Sequence, residues 1–317
     1  MSDMKENQPH CGYVAIIGRP NVGKSTLLNH LIQQKISITS KKPQTTRHQI
    51  LGIRTVGHQQ IIYIDTPGLH QDAHRALNRY MNRAATSVIF DMNLILFVVD
   101  GLHWTPDDEW ALKKITHAEC PVILVVNKVD KIAEKEALLP YLQTLNQKRE
   151  FAVTIPLCAK SKEDAHRLEA IITHYLPEGP FIFPEDQMTD KSQRFLAAEI
   201  IREKLMRHLG QELPYDIAVE IEEFKEDARS LGSTKSIENK NKKKKKTLFR
   251  ISAVIYVQRP GQKKIVIGDG GAQLKEIGQK ARLDMEKLFE HRIFLTLWVK
   301  VKRGWADNER SLKSLGF

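Results

Sequence analysis

The chain has 317 residues, 27% of them charged, with 49 Lys and Arg against 38 Asp and Glu, for a net charge of +11. That length suits about two domains, each able to bury a core, and no stretch approaches the roughly 18 consecutive apolar residues of a membrane span. The start, Met1 to Glu6, lacks the cationic and apolar blocks of a secretory signal, and Cys11, Cys120 and Cys158 have no metal-like or disulfide-like pairing, so the expected location is the cytoplasm.

In chain order, the apolar run Tyr13 to Ile17 reads as a strand and leads into Gly18-Arg19-Pro20-Asn21-Val22-Gly23-Lys24-Ser25-Thr26. Two glycines at this spacing, followed by Lys and Ser, let the backbone wrap a polyphosphate. Consecutive N–H groups and the start of the next helix then face the negative charge, with Lys24 on the β and γ phosphates and Ser25 on magnesium. The helical pattern of Leu27, Leu28, Leu31 and Ile32 follows. Between that helix and a strand around Ile50 to Thr55 lies Lys41 to Arg47, the place for a loop that orders on a triphosphate and relaxes on its hydrolysis. Thr45 and Thr46 are its candidate magnesium ligands, and Thr46 is the choice.

A strand at Ile61 to Ile64 ends in Asp65-Thr66-Pro67-Gly68. Asp65 stands where a carboxylate holds the magnesium shell, and Gly68 where an N–H meets the γ-phosphate. Further on, Val122 to Val126 runs into Asn127-Lys128-Val129-Asp130, whose Asp130 carboxylate suits guanine's N1–H and exocyclic amine. Adenine lacks that donor pair, so a buried carboxylate left unpaired rejects it. After the run Phe151 to Leu157, Cys158-Ala159-Lys160 is positioned like the loop whose backbone N–H meets the guanine oxygen. Strands near Tyr13, Ile50, Ile61, Leu94, Val122 and Phe151 alternate with helices beginning near Lys24, Arg75, Asp108, Lys135 and Glu163. This predicts an α/β P-loop domain, doubly wound on a mostly parallel sheet, with every motif at the carboxyl ends of its strands.

The pattern breaks near Leu176, and the proline-rich stretch after it reads as a stiff linker over 177–190 between a first domain, 1–176, and a second, 191–317. The second domain reads as helix Ser192 to His208, strand Asp216 to Phe224, strand Leu248 to Gln258, two helical stretches flanking Gly268-Asp269-Gly270-Gly271, and strand Ile293 to Val301. A glycine loop before a helix carrying Leu274, Lys275 and Ile277 fits the Gly-x-x-Gly element that clamps single-stranded RNA in KH domains, with an apolar groove at Ile267, Leu274 and Ile277. Residues 1–180 carry 21 basic against 18 acidic residues, a net +3, and residues 181–317 carry 28 against 20, a net +8. Six of those positives are Lys240 and Lys242 to Lys246, a run that adds salt-sensitive attraction to phosphates or anionic lipid without specifying a sequence.

Together, Gly-Arg-Pro-Asn-Val-Gly-Lys-Ser-Thr, Pro-Gln-Thr-Thr-Arg-His, Asp-Thr-Pro-Gly-Leu-His and Asn-Lys-Val-Asp resemble the Era family of bacterial GTPases. The resemblance spans nearly the whole chain, through Gly304-Trp305-Ala306-Asp307. It implies a GTPase that binds GTP, GDP and Mg2+, followed by a smaller α+β KH domain of the second type. By the same resemblance the partners are the 3′ region of 16S ribosomal RNA and the 30S subunit, whose maturation it assists. A monomer with peripheral attachment to the inner membrane is also implied. The catalytic set is then Asn21, Lys24, Thr46 and Gly68, and the RNA set Ile267, Gly268, Asp269, Gly270, Gly271, Leu274 and Lys275. Three residues bear on how it would work. Leu69 occupies the position where Ras-like enzymes keep a water-orienting glutamine, so another device must serve. Potassium-activated relatives suggest Asn21 as a K+ ligand beside the phosphates, the alternative being that it only shapes the loop. Asp269 places a carboxylate in the RNA loop, where it repels phosphate. A competing reading is a membrane-associated regulatory GTPase whose second domain binds protein or lipid.

Overall fold

The computed structural model describes residues 8–69, 75–101, 103–210, 216–227, 248–308, 310 and 312. The lysine run from Lys240 to Lys246 lies outside the described residues. The chain divides into two compact units between Lys191 and Ser192.

The first unit is a six-stranded sheet built from β1 (His10–Ile17), β2 (Ile50–Val56), β3 (Gln59–Asp65), β4 (Leu94–Asp100), β5 (Val122–Asn127) and β6 (Val153–Leu157), ordered β2-β3-β1-β4-β5-β6. Only β2 runs antiparallel, in a hairpin with β3 turned at Gly57, whose φ is 56°. The central strands read as continuous apolar runs because both their faces are covered, as parallel sheets require. Helices α1 (Lys24–Ile32), α2 (Ala76–Ser87), α3 (Pro106–Ile115), α4 (Leu138–Asn146) and α5 (Lys162–Thr173) supply that cover. Local chemistry starts them: Thr105 and Asp108 form a capping box on α3 with Pro106 in its first turn, and Ser161 accepts from the Asp164 N–H to cap α5. Two boundaries differ from the sequence reading. The sixth strand begins at Val153 instead of Phe151, because pairing with β5 starts at Ile123↔Val153 while Phe151 stacks on Phe97, ring centroids 6.5 Å apart. A 3-10 turn fills Lys135–Ala137 ahead of α4.

Residues 177–190, expected as a spacer, lie along this unit. The Cys11 N–H donates to the Pro177 carbonyl and the Ile53 N–H to that of Met188. β2 is an edge strand whose outward backbone groups need partners, and the strap provides them. Fully buried Gln60 holds it: Oε1 accepts from the N–H groups of Ile182 at 2.9 Å and Phe183 at 3.0 Å, and Nε2 donates to the Phe183 carbonyl at 2.8 Å.

The second unit has the order α6 (Gln193–His208), β7 (Ala218–Asp227), β8 (Leu248–Val257), α7 (Pro260–Ile267), α8 (Ala272–Phe289) and β9 (Arg292–Val301). β8 is the central strand, antiparallel to β7 and parallel to β9. Leu196, Ile200 and Leu205 of α6 meet Ile251, Ala253 and Ile255 of β8 and Ala281 and Met285 of α8 in one core. Trp305 is wholly buried after the last strand and donates its Nε1–H to the Asp216 carbonyl at 3.1 Å.

Replacing Gln60 with Leu should leave the strap's amides without partners and lower stability by about 2 kcal/mol. Amide exchange at Ile182 and Phe183, followed alongside urea unfolding, should speed up well before the core amides of β1 and β4 do.

Candidate functional site

At the carboxyl ends of the parallel strands lies a cavity of about 430 Å³, lined among others by Asn21, Lys24, Thr46 and Gly68 at one end and Lys128 and Lys160 at the other. It opens there because each strand hands its chain to a loop at that edge of the sheet.

At the phosphate end, Lys24 is buried and its Nζ donates to the carbonyls of Gly18 and Arg19, both at 2.9 Å. Burial depresses its pKa to about 8, against the opposing pull of the Asp65 carboxylate. The loop turns through Asn21 at φ 65° and Gly23 at φ 107° into the first turn of α1, which exposes amides to an anion. Gly68 abuts Pro20 so closely that a Cβ there would stand 2.7 Å from the Pro20 N and Cα. Leu69, wholly buried, donates its N–H to the Gly18 carbonyl, so its side chain belongs to the core and does not reach a water in the cavity.

Beside Lys24, Ser25 Oγ lies 2.7 Å from Thr46 Oγ1 and 2.7 Å from Asp65 Oδ2, and Thr46 Oγ1 is 3.3 Å from the same carboxylate oxygen. Adjacent oxygens in an octahedral magnesium shell stand about 2.9 Å apart, and hard oxygen donors are what that ion takes. Asp65 Oδ1 is buried without a hydrogen-bond partner, and burial raises the Asp65 pKa against its hydroxyl donors and Lys24. These residues fit a divalent cation. Of the two candidate threonines, Thr46 joins this cluster, while Thr45 Oγ1 donates to the Lys42 carbonyl at 2.6 Å. A third hydroxyl that spacing did not reveal, Ser37 Oγ, donates to Asp65 at 2.9 Å. Ser37 is positioned by Asn29, whose Oδ1 accepts from the Ile36 and Ser37 N–H groups. In the sequence it was one hydroxyl among Ser37, Thr39 and Ser40.

At the base end, Asn127 acts as a brace. Its Nδ2 donates to the Val22 carbonyl at 2.6 Å, and its Oδ1 accepts from the Lys128 N–H at 2.7 Å and the Ala159 N–H at 2.8 Å. Lys128, at φ 67°, turns its Nζ onto Asp100 Oδ2 at 2.5 Å. Asp130 is exposed and stands next to the cavity-lining Lys131 without itself lining the cavity, and the Cys158 N–H is fixed by Asp164 at 2.8 Å. The Cys158 thiol is pushed up in pKa by burial. Val22 is fully buried and contributes only its backbone, and Thr26 lines the cavity.

In the second unit, Gly268, Gly270 and Gly271 all have positive φ, at 72°, 57° and 82°. A Cβ at Gly270 or Gly271 would meet nothing, so it is the backbone conformation that calls for glycine there. Asp269 is exposed at the tip. A groove of about 420 Å³ runs on from this loop between Leu274, Lys275, Gln279 and Arg282 of α8 and Leu295 and Leu297 of β9. The expected apolar floor needs correction: Ile277 is wholly buried in the core, and Ile267 packs against that core instead of lining the groove. The floor is made by β9 and by Gly278, which faces Leu297.

A six-stranded sheet in this order, with its phosphate loop after the first strand and its base loops after the fifth and sixth, defines a P-loop GTPase, here followed by a KH fold. Comparison with known proteins agrees. A family model described as 50S ribosome-binding GTPase matches residues 13–128, and a KH domain model matches 233–306. The chain is 55% identical to GTPase Era of Marinobacter nauticus over 98% of its own length and 95% of that protein's. It is 52% identical to GTPase Era of Pseudomonas aeruginosa over 100% and 99%. The crystal structure of Era in complex with MgGDPNP and nucleotides 1506–1542 of 16S ribosomal RNA superposes with a TM-score of 0.88 at 38% identity, covering 97% of this chain and 99% of that one. Aquifex aeolicus Era bound to GDP·AlF4− gives 0.88 at 37% identity, with the same coverage. The chain belongs to the Era family, and it is a GTPase.

Lys24 sets a pH signature. Folding lowers its pKa from 10.5 to about 8, so between those values the unfolded chain binds more protons and the nucleotide-free protein gains stability as pH rises. Below pH 8 the cost of burying the ammonium is fully present. From pH 7.5 to 9.5 the wild type should gain ~2 kcal/mol relative to Lys24→Met in urea titrations, a difference that bound nucleotide abolishes by holding the ammonium charged.

Proposed function

We propose that this GTPase is a switch that hydrolyses GTP to GDP and phosphate, binds 16S ribosomal RNA near its 3′ end through the groove of its second unit, and assists maturation of the small ribosomal subunit. The observation that carries the nucleotide half is the convergence of Ser25, Thr46 and Asp65 beside Lys24, at the far end of a cavity from Lys128 and Lys160. The RNA half is supported by the glycine loop and the groove that continues it, together with the 16S RNA in the Era complex most of which this chain matches.

In this reading the amides of residues 21–26 cradle the β-phosphate, and Lys24 neutralises the β and γ oxygens. Ser25 and Thr46 would hold Mg2+ directly, with Asp65 anchoring its shell. When bound, the ion supplies charge to offset what develops on the γ-phosphoryl oxygens. The Gly68 N–H meets the γ-phosphate, and loss of that group frees the loop around Thr46. Asp130 reads guanine, with Asn127, Lys128, Cys158, Ala159 and Lys160 shaping its pocket. Leu69 cannot orient the attacking water, which supports a K+ ion on Asn21 as the compensating charge. In the second unit, Gly268 to Gly271 take the RNA backbone, with Leu274 and Lys275 beside them and Ile267 supporting the loop from the core side. Asp269 weakens that grip, so the groove beyond it carries more of the affinity. We place nucleotide work in 1–176 and RNA work in 191–317, in a monomer of the cytoplasm that touches the inner membrane peripherally. Among the described residues no helix is long and apolar enough to cross a membrane.

Three measurements test this. Thr46→Ala should cut GTP hydrolysis about a hundredfold while leaving GDP affinity within about threefold, and Thr45→Ala should change neither by more than that. Replacing potassium with sodium should slow turnover at least about tenfold in the wild type and not in Asn21→Ala. RNA carrying the 16S 3′ end should bind at least about fivefold tighter with a slowly hydrolysed GTP analogue than with GDP. Equal affinities would refute the coupling, and RNA retention only at low salt would favour a lipid or protein partner.

A further inference from the structure

Arg19 belongs to the phosphate loop, yet its guanidinium is engaged outside the cavity. Nε donates to Asp108 Oδ2 at 2.8 Å, Nη2 to the His103 carbonyl at 3.4 Å, and Nη1 to the carbonyl of its neighbour Pro20 at 3.4 Å. Asp108 is wholly buried, and the same Oδ2 also accepts from the Thr105 N–H at 2.9 Å and the Thr105 hydroxyl at 2.8 Å in the capping box of α3. Its other oxygen is buried without a hydrogen-bond partner. A helix cap has no need of a partly buried arginine 89 residues away in sequence, and a phosphate loop has no need of one that leaves the phosphates. The pair therefore joins two elements that must keep a fixed distance.

We propose that Asp108 is a positioning residue for GTP hydrolysis, acting through Arg19 to set the Pro20–Asn21 edge of the phosphate loop. Pro20 is held on both sides. Arg19 ties it to the N-terminus of α3, and Gly68 abuts its N and Cα with no room for a Cβ. Gly68 and Asn21 stand at the γ-phosphate end of the cavity in the reading above, on which this proposal rests. The β-phosphate end is held separately, because Asn127 grips the Val22 carbonyl and Gly23 opens α1. Loosening Arg19 should therefore move the groups that act on the γ-phosphoryl and spare those that bind GDP. Asp100, with Oδ2 at 3.8 Å from Arg19 Nη2 and already bonded to Lys128, is the acid toward which a released guanidinium would swing. A planar guanidinium with fixed donor directions suits such a strut better than lysine would.

The test compares Asp108→Asn, Arg19→Gln and the double variant with wild type, using single-turnover GTP hydrolysis, release of fluorescent GDP and thermal unfolding. Asparagine keeps the shape of the cap and an acceptor for Thr105, and the double variant leaves no lone buried charge. A loop edge misplaced by about 1 Å should slow hydrolysis ten- to hundredfold, with GDP release changed less than about threefold and the double variant no slower than the slower single. Arg19→Lys should restore little. Hydrolysis and GDP binding falling in proportion to lost stability would overturn the proposal, as would unchanged hydrolysis or additive losses in the double variant. Wild-type turnover in the same assay checks the underlying nucleotide reading by itself.

Discussion

One buried amide side chain holds the nucleotide site together. Asn127 ends β5, and its three hydrogen bonds reach the loop after β1, its own loop and the loop after β6. Loops at the carboxyl edge of a parallel sheet leave their amides and carbonyls without ladder partners, and a loop buried with unmet polar groups is costly. An asparagine can donate and accept at once, so it satisfies three such loops from one position. An aspartate there would lose the donor to Val22. The cavity has its span, phosphate end to base end, because those loops are kept at fixed distances by this brace.

Within that frame the chemistry depends on charges kept short of water. Lys24 and Asp65 are both buried, and burial pushes each toward its neutral form, the ammonium down and the carboxyl up. Each partly offsets the other, and in the proposed function a triphosphate with its cation would complete the balance, with anionic oxygens for Lys24 and a metal charge for Asp65. Under that proposal the ligand would favour the charged forms that burial disfavours, as a preorganised pocket favours charge that develops during reaction.

The groove of the second unit rests on a different physics. Its groove is lined by one face of α8 and by the open edge of β9, and it is entered through a backbone turn that only glycine adopts readily. The apolar floor suits bases, and exposed Lys275 and half-buried Arg282, itself paired with Glu286, suit phosphates. In the proposed function, Asp269 at the loop tip would oppose a phosphate and shift the balance of affinity along the groove toward Gln279 and Arg282.

What the sequence determined by itself was whatever depends on neighbours close in the chain. The phosphate loop, the order of strands and helices, the Asp65 and Asp130 turns and the glycine loop were all legible, since spacing and local periodicity specify them. Even the choice of Thr46 over Thr45 rested on position within a segment. The tertiary structure decided what depends on residues meeting across the fold. Ser37 joined the Asp65 cluster because Asn29 holds it there, Ile277 went to the core because α8 turns that face inward, and residues 177–190 became a strap because β2 had an unpaired edge and Gln60 faced it. Arg19 meeting Asp108 belongs to the same class. Hydrogen bonds between residues far apart in sequence leave no periodic trace, and only the packed chain shows which polar groups found each other.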